Sequence, residues 1–333
     1  MFNARYIHIY NDYISSGLGT LLNFLLIFLI RFTKNTELKK YNQILLQSVF
    51  MDLYCIFITF ITKPIIVAHG HYFSILTNTV FPFNQTVCFI LHTLWTGSLG
   101  FSLGGVSILF YYRYRTLCLN AKFSIKLQLL CLLIVGIVAC ILPLSYFYSY
   151  YFLDLEKLKI SEELAPYFSK DNGKVDAVFI MDTSEYYTFL LTGTSAFFTS
   201  VNYVVVIWCS YKIYKFFKAQ EGLQVKGRNY CEIQAQITKT LIAQAITPLL
   251  VIQLPLLFLL IVIYGPLKVS SHVSAIPGLM FGYLPTMNAI SILVFVKAYR
   301  RHLIRLIGMG FIKLRIDKVS NIYSISGFFN TQT

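Results

Sequence analysis

Seven apolar stretches, each about 20 residues or longer, divide this 333-residue chain and leave it one kind of fold. A helix rises about 1.5 Å per residue, so about 20 residues cross the roughly 30 Å of hydrocarbon in a bilayer. Hydrocarbon offers no partner to backbone N–H and C=O groups, which forces such stretches to be helical. Only 13% of the residues are charged, against about 25% in soluble domains. The sequence therefore predicts an all-α membrane protein. One domain over residues 1–318 is expected to hold a seven-transmembrane-helix bundle, and 319–333 a disordered tail. The predicted spans are about Ile9–Ile30, Asn42–Ile61, Cys88–Tyr112, Leu127–Tyr150, Tyr187–Ile213, Thr240–Tyr264 and His272–Val296. Met1–Asp12 is polar and mixed, unlike a cleavable signal peptide.

Basic residues set the expected orientation. Of the 28 Lys and Arg, 21 fall in the first, third and fifth connections or after Val296. The other seven are Arg5, Lys63, Lys157, Lys159, Lys170, Lys174 and Lys268. Loops rich in Lys and Arg stay in the cytosol, so the N-terminus is expected outside and the C-terminus inside. The loop Tyr151–Tyr186 carries 8 of the 14 acidic residues, which makes the outer face acidic. The formal charge of +14 thus reflects topology, not nucleic-acid binding. The basic face suits anionic headgroups of the lipid bilayer.

Asp52 reads as the only acidic residue deep in a span. Burying it costs about 2.5–3.5 kcal/mol, so it must face the bundle interior and find partners. Asn23 and Asn288 are expected at a depth to supply them. Two readings stay open: a fixed hydrogen-bonded knot, or a polar switch that rearranges, with or without a cation. In the third span Gly100 and Gly104 form a small-xxx-small pair that admits a close neighbour. His92 and Trp95 lie in its outer half, with packing and ligand contact both open for the histidine. Pro248 and Pro255 predict a kink in the sixth span beside Gln244 and Gln253.

Among seven cysteines only Cys88 lies near the outer face. The acidic loop has none, so Cys88 has no partner there, and the others are expected as reduced thiols. Asn84-Gln85-Thr86 is a sequon with an outer location, a possible glycosylation site close to the third span. After the last span, 297–318 is basic and amphipathic, as for a helix lying in the inner headgroup layer. No metal-spaced His/Cys set and no nucleophile–base constellation appears, so no enzyme, metal or cofactor is expected.

Several segments in this order are similar to nematode serpentine chemoreceptors, most closely the Srd family, with the related Str family second. They are Leu21–Ile30, Leu38–Leu53, Phe110–Cys118 (FYYRYRTLC), Gln244–Pro255 and Gly282–Arg300. The resemblance implies rhodopsin-like architecture and a G-protein-coupled receptor for a small external molecule. The expected location is the plasma membrane of sensory cilia, and the expected partner a heterotrimeric G protein. By position, Asn23 and Asp52 match the polar pair of the first two helices, Arg113 the third-helix arginine and Pro285 the seventh-helix proline. Tyr112 stands where an acidic partner of that arginine is usual, which puts an ionic lock in doubt. The ligand is expected among helices 3, 5, 6 and 7, near His92, Trp95, Tyr187 and Gln253. The G protein is expected at a cleft of Arg113, Tyr114, Lys212, Lys215 and Lys218, opened by helix 6.

Two other classes make different demands. A ligand-gated odorant channel of the insect type puts the N-terminus in the cytosol, against the basic-residue count. A secondary transporter should carry internal repeats and more ionisable residues near the midplane. A retinal-binding pigment needs a lysine within His272–Val296, and there is none.

Overall fold

The computed structural model describes residues 5–32, 36–69, 72–78, 84–121, 124–141, 178–183, 185–221, 228–265 and 269–305. The helices are α1 (Arg5–Phe32), α2 (Thr36–Thr62), α3 (Gln85–Leu117), α4 (Ile125–Ile141) and α5 (Tyr186–Glu221). Helix α6 has three parts: Arg228–Pro248, a π-helical turn Leu249–Gln253, and Leu254–Tyr264. Helix α7 also has three: Ser271–Ala275, a 3-10 stretch Ile276–Tyr283, and Leu284–Phe295. Extended Val296 separates it from α8, helical over 297–305. Six helices are long and apolar enough to cross a membrane; α4 has 17 described residues, and 142–150 of its predicted span lie outside them. The rest of the predicted amphipathic helix and the tail also lie outside the described residues.

Helices run past the predicted spans because a helix need not end at the hydrocarbon edge. Helix α3 continues to Leu117, which places Arg113 on the helix. Helix α5 continues past the predicted Ile213 to Glu221, so Lys215 and Lys218 join Lys212 on the helix. The π turn has a local cause. Pro248 and Pro255 have no N–H for the carbonyls four residues earlier, those of Gln244 and Val251. Between them the ladder slips by one residue, and Leu254 N–H donates to Leu249 C=O.

To the expected helical bundle the structure adds one element. A three-stranded antiparallel sheet closes one end of the bundle: β1 (Pro64–His69), β2 (Tyr72–Thr77) and β3 (Val178–Asp182), in the order β1-β2-β3. Helix 2's connection and part of the acidic loop, both read as loop, supply it. Ile66 pairs with Ile75 and Phe73 with Met181, so all four side chains share one face. The opposite face is also covered: Ile65, Val67 and Leu76 are at most 1% exposed. Ser274 of α7 ties the free edge of β1 down, accepting from Ala68 N–H at 3.1 Å and donating to Ala68 C=O at 2.8 Å.

Helix α3 is central, packed on α2, α4 and α5, while α1 packs on α2 and α7, and α6 on α7. Glycines allow this, but not as the Gly100–Gly104 pair predicts. Gly97 and Gly104 face Ala139 and Val135 of α4, Gly105 faces Met51 of α2, and Gly100 lines a cavity. Two apolar cores result. One, at the sheet end, joins Ile66, Ile75, Trp95, Ile252, Leu259 and Phe281. The other joins Leu29, Leu45, Leu109, Leu241, Ile292 and Tyr299.

Candidate functional site

A cavity of about 330 Å³ lies directly under the sheet, within the size range of small-molecule pockets. Its roof is the shared face of Ile66, Phe73, Ile75 and Met181. Helix α3 supplies Trp95, Leu99 and Leu103, α6 supplies Ile252, Gln253 and Leu256, and α7 supplies Phe281. Trp95 and Phe281 meet edge to face, centroids 6.1 Å apart. Helix α5 presents a hydroxyl stripe: Thr188, Thr192, Ser195 and Thr199. These positions recur every three or four residues, so they share a helix face. Thr188 and Thr192 donate to the carbonyls of Asp182 and Thr188. No charged side chain lines the cavity among the described residues.

The predicted ligand contacts divide. Trp95 and Gln253 line the cavity, and the π turn is what carries Gln253. His92 does not line it; its Nε2 lies 2.7 Å from Thr77 Oγ1, where it braces β2 against α3. The side chain of Tyr187 lies outside the described residues. Asn84 caps α3, its side chain accepting from Val87 N–H at 2.9 Å.

Below the cavity, buried polar side chains separate the two cores. Asn288 Nδ2 donates to Asp52 Oδ1 at 2.9 Å, so Asp52 has one of its two expected partners. Asn23 is not the other: its Nδ2 donates to Gly19 C=O, within its own helix. Pro285 is buried one turn before Asn288, at the start of the last α-helical part of α7. Asp52 Oδ2, Asn288 Oδ1 and both polar atoms of Gln244 are buried without a hydrogen-bond partner among the described residues. A pocket of about 10 Å³ lined by Gln244, Asn288, Gln47 and Ser102 adjoins them, room for about one water. Asp52 is not the lone buried acid: Asp12 of α1 is also buried, against the expectation, because α1 begins at Arg5 and carries it inside. Nor is Lys63 a solvated loop charge. It is 1% exposed, with Nζ 3.8 Å from the ring centre of Tyr13.

At the far end Arg113 is buried, and Tyr114 stacks edge-on against Trp208 of α5 at 4.8 Å. Lys212 Nζ lies 5.8 Å over Trp208, and Cys118 Sγ donates to Lys212 C=O at 3.7 Å. Lys215 and Lys218 are exposed on the last turns of α5. Tyr299 of α8, fully buried, donates to Asn42 Oδ1 at 2.8 Å.

A sequence profile described as "Serpentine type 7TM GPCR chemoreceptor Str" matches residues 8–304. The chain belongs to this family. The Srd family, first in the sequence reading, gives way to Str, the second. Squid rhodopsin, a solved crystal structure, superposes with a TM-score of 0.65 at 13% identity, covering 90% of this chain and 85% of that one. At that identity the likeness establishes the fold: the Str receptor has a rhodopsin-like bundle. No curated protein matches the chain.

In this Str-family receptor several positioning residues escaped the sequence reading. Ser107 of α3 donates to Asn202 Oδ1 of α5 at 2.7 Å, and Lys297 N–H donates to Gln236 Oε1 at 3.0 Å. Single polar residues in apolar runs were the available signal. The α5 stripe was visible too, as hydroxyls at helical spacing.

Proposed function

We propose that the cavity under the sheet is where this chemoreceptor holds its small-molecule ligand, and that the Arg113 end engages a heterotrimeric G protein. The single observation that carries this is the division of the bundle. A hollow, uncharged chamber lies at one end, a buried arginine beside aromatic rings at the other, and an incompletely paired polar layer between them. The basic-residue count supports a sheet facing the outside and an Arg113 end facing the cytosol, in the plasma membrane of a sensory cilium.

A ligand shifts the bundle only by binding one arrangement better than another. The chamber touches α6 through the π turn, the least regular segment of that helix. A change in how Gln253 and Ile252 pack therefore reaches Gln244, two turns away in the polar layer. Paired with Asp52, Asn288 gives α7 the same link. Movement of the α6 end then uncovers Arg113 and Tyr114 beside the already exposed α5 lysines, and the G protein reads the two together. The test is a panel of volatile and soluble compounds on cells expressing this chain with a promiscuous G protein. An active compound should lose its response in Arg113→Ala while still binding. A full response from Arg113→Ala overturns the transmission step. A current without G protein would favour the channel class.

A further inference from the structure

We infer that the chamber is filled from the bilayer, through a window between α5 and α6, by a neutral lipophilic molecule carrying one hydrogen-bonding oxygen. The inference rests on the receptor reading above and names the ligand class and route for the same site. Four observations carry it. First, the roof blocks the axial route: the sheet over the chamber is buried on both faces and tied to α7 by Ser274. Second, α5 is the least buried of the long helices, and it packs along α3 rather than α6. Two hydrogen bonds frame the gap: Tyr203 OH to Ala245 C=O at 3.2 Å, and Tyr264 OH to Thr183 C=O at 3.5 Å, nearer the sheet.

Third, Ala196 and Leu257 line the chamber yet are exposed on the outer surface, Leu257 by 52%. In a membrane that surface meets acyl chains. Fourth, the polar groups in the chamber are neutral, and part of the hydroxyl stripe is unspent. Among the described residues Ser195, Thr199 and Gln253 make no side-chain hydrogen bond. A hydroxyl or carbonyl amide there both donates and accepts. A charged ligand would find no counter-ion and would bear the full cost of desolvation. An alkyl body against the Leu and Phe walls, with one oxygen on the α5 stripe or Gln253, satisfies both surfaces.

The chain has two tryptophans, Trp95 in the chamber wall and Trp208 outside it. In Trp208→Phe receptor embedded in lipid nanodiscs, Trp95 fluorescence reports the chamber alone. The probe is an ω-bromo-octanol, which partitions into lipid and quenches on contact. Saturable quenching that unbrominated octanol competes away is expected, with iodide in the water phase ineffective. Ala196→Phe with Leu257→Phe should slow its onset about tenfold, equivalent to about 1.4 kcal/mol of barrier. Leu257→Ala should speed it, a gain that misfolding does not produce. Ser195→Ala with Thr199→Val should weaken binding about fivefold for the alcohol and leave bromo-octane unchanged, as loss of one hydrogen bond predicts. Quenching that ignores the window and quickens when the roof is loosened by Ser274→Ala overturns the route. Absence of saturable quenching, or equal quenching by iodide, overturns the ligand class. None of these readouts needs a G protein, so their failure leaves the receptor reading to the signalling assay, and the reverse.

Discussion

The two halves of the bundle use the same helices to opposite ends. Near the sheet, α3, α5 and α6 stand apart around a chamber of about 330 Å³. Toward Arg113 the same helices close on Leu109, Leu241 and Ile292, each at most 3% exposed. The composition of the two cores is alike, so side-chain type does not make one hollow. Backbone differs: the π turn of α6 and the 3-10 stretch of α7 both lie at the chamber, where Gln253 and Phe281 line it, and the sheet takes the place of further helical packing. A receptor needs this asymmetry. A void stores differential affinity for a ligand, and a tight core carries a movement rather than absorbing it.

Truncation should hurt the two halves unequally. Ile292→Ala in the dense half is expected to cost about 2–5 kcal/mol, read as a fall in thermal unfolding temperature in detergent. Leu256→Ala, whose side chain already faces the void, should cost far less. Equal losses would abolish the distinction.

The polar layer gives the next test. Asn288→Ala strips Asp52 of its partner and should cost about 1–3 kcal/mol. Adding Asp52→Ala should return part of that loss, because the orphaned acid goes too. A double variant no better than the single would show that the pair is not what holds the layer together.

Overpacking sharpens the boundary further. Gly104→Leu collides with Val135 of α4 and should lose about 1–3 kcal/mol. Reduced surface expression and a lower melting temperature are the readouts. The smallest effect is expected at the rim. Asn84→Ala removes the α3 cap and should cost about 1 kcal/mol, whereas Asn84→Asp keeps the cap. Both destroy the sequon, so a gel shift common to the two reports a sugar, and a stability loss unique to alanine reports the cap.

Apolar helices were legible because bilayer thickness imposes a fixed length and composition on each crossing; the resemblance of short segments reached the serpentine chemoreceptors but ranked Srd ahead of Str. Trp95 and Gln253 were legible as outer-half polar or aromatic residues on helices. His92 misled because its depth and type suit a ligand contact, while Thr77, which it meets, belongs to a six-residue strand too short to register as a span. Asn23 misled in the same way, since equal depth is not equal direction. Asp12 and Lys63 were hidden by their position near predicted boundaries, where a shift of a few residues turns a solvated charge into a buried one.

Taken by itself, the chain settled that it crosses a bilayer as a helical bundle, because hydrocarbon penalises every unpaired backbone group wherever it occurs. Such a rule acts locally and needs no partner. The sheet, by contrast, joins Phe73 to Met181 across more than a hundred residues, and the chamber exists only where that sheet, the π turn and the α5 hydroxyl stripe meet. Contacts between segments remote in sequence leave no periodic trace in any one of them, so only the folded chain could place the hollow, its roof and its window.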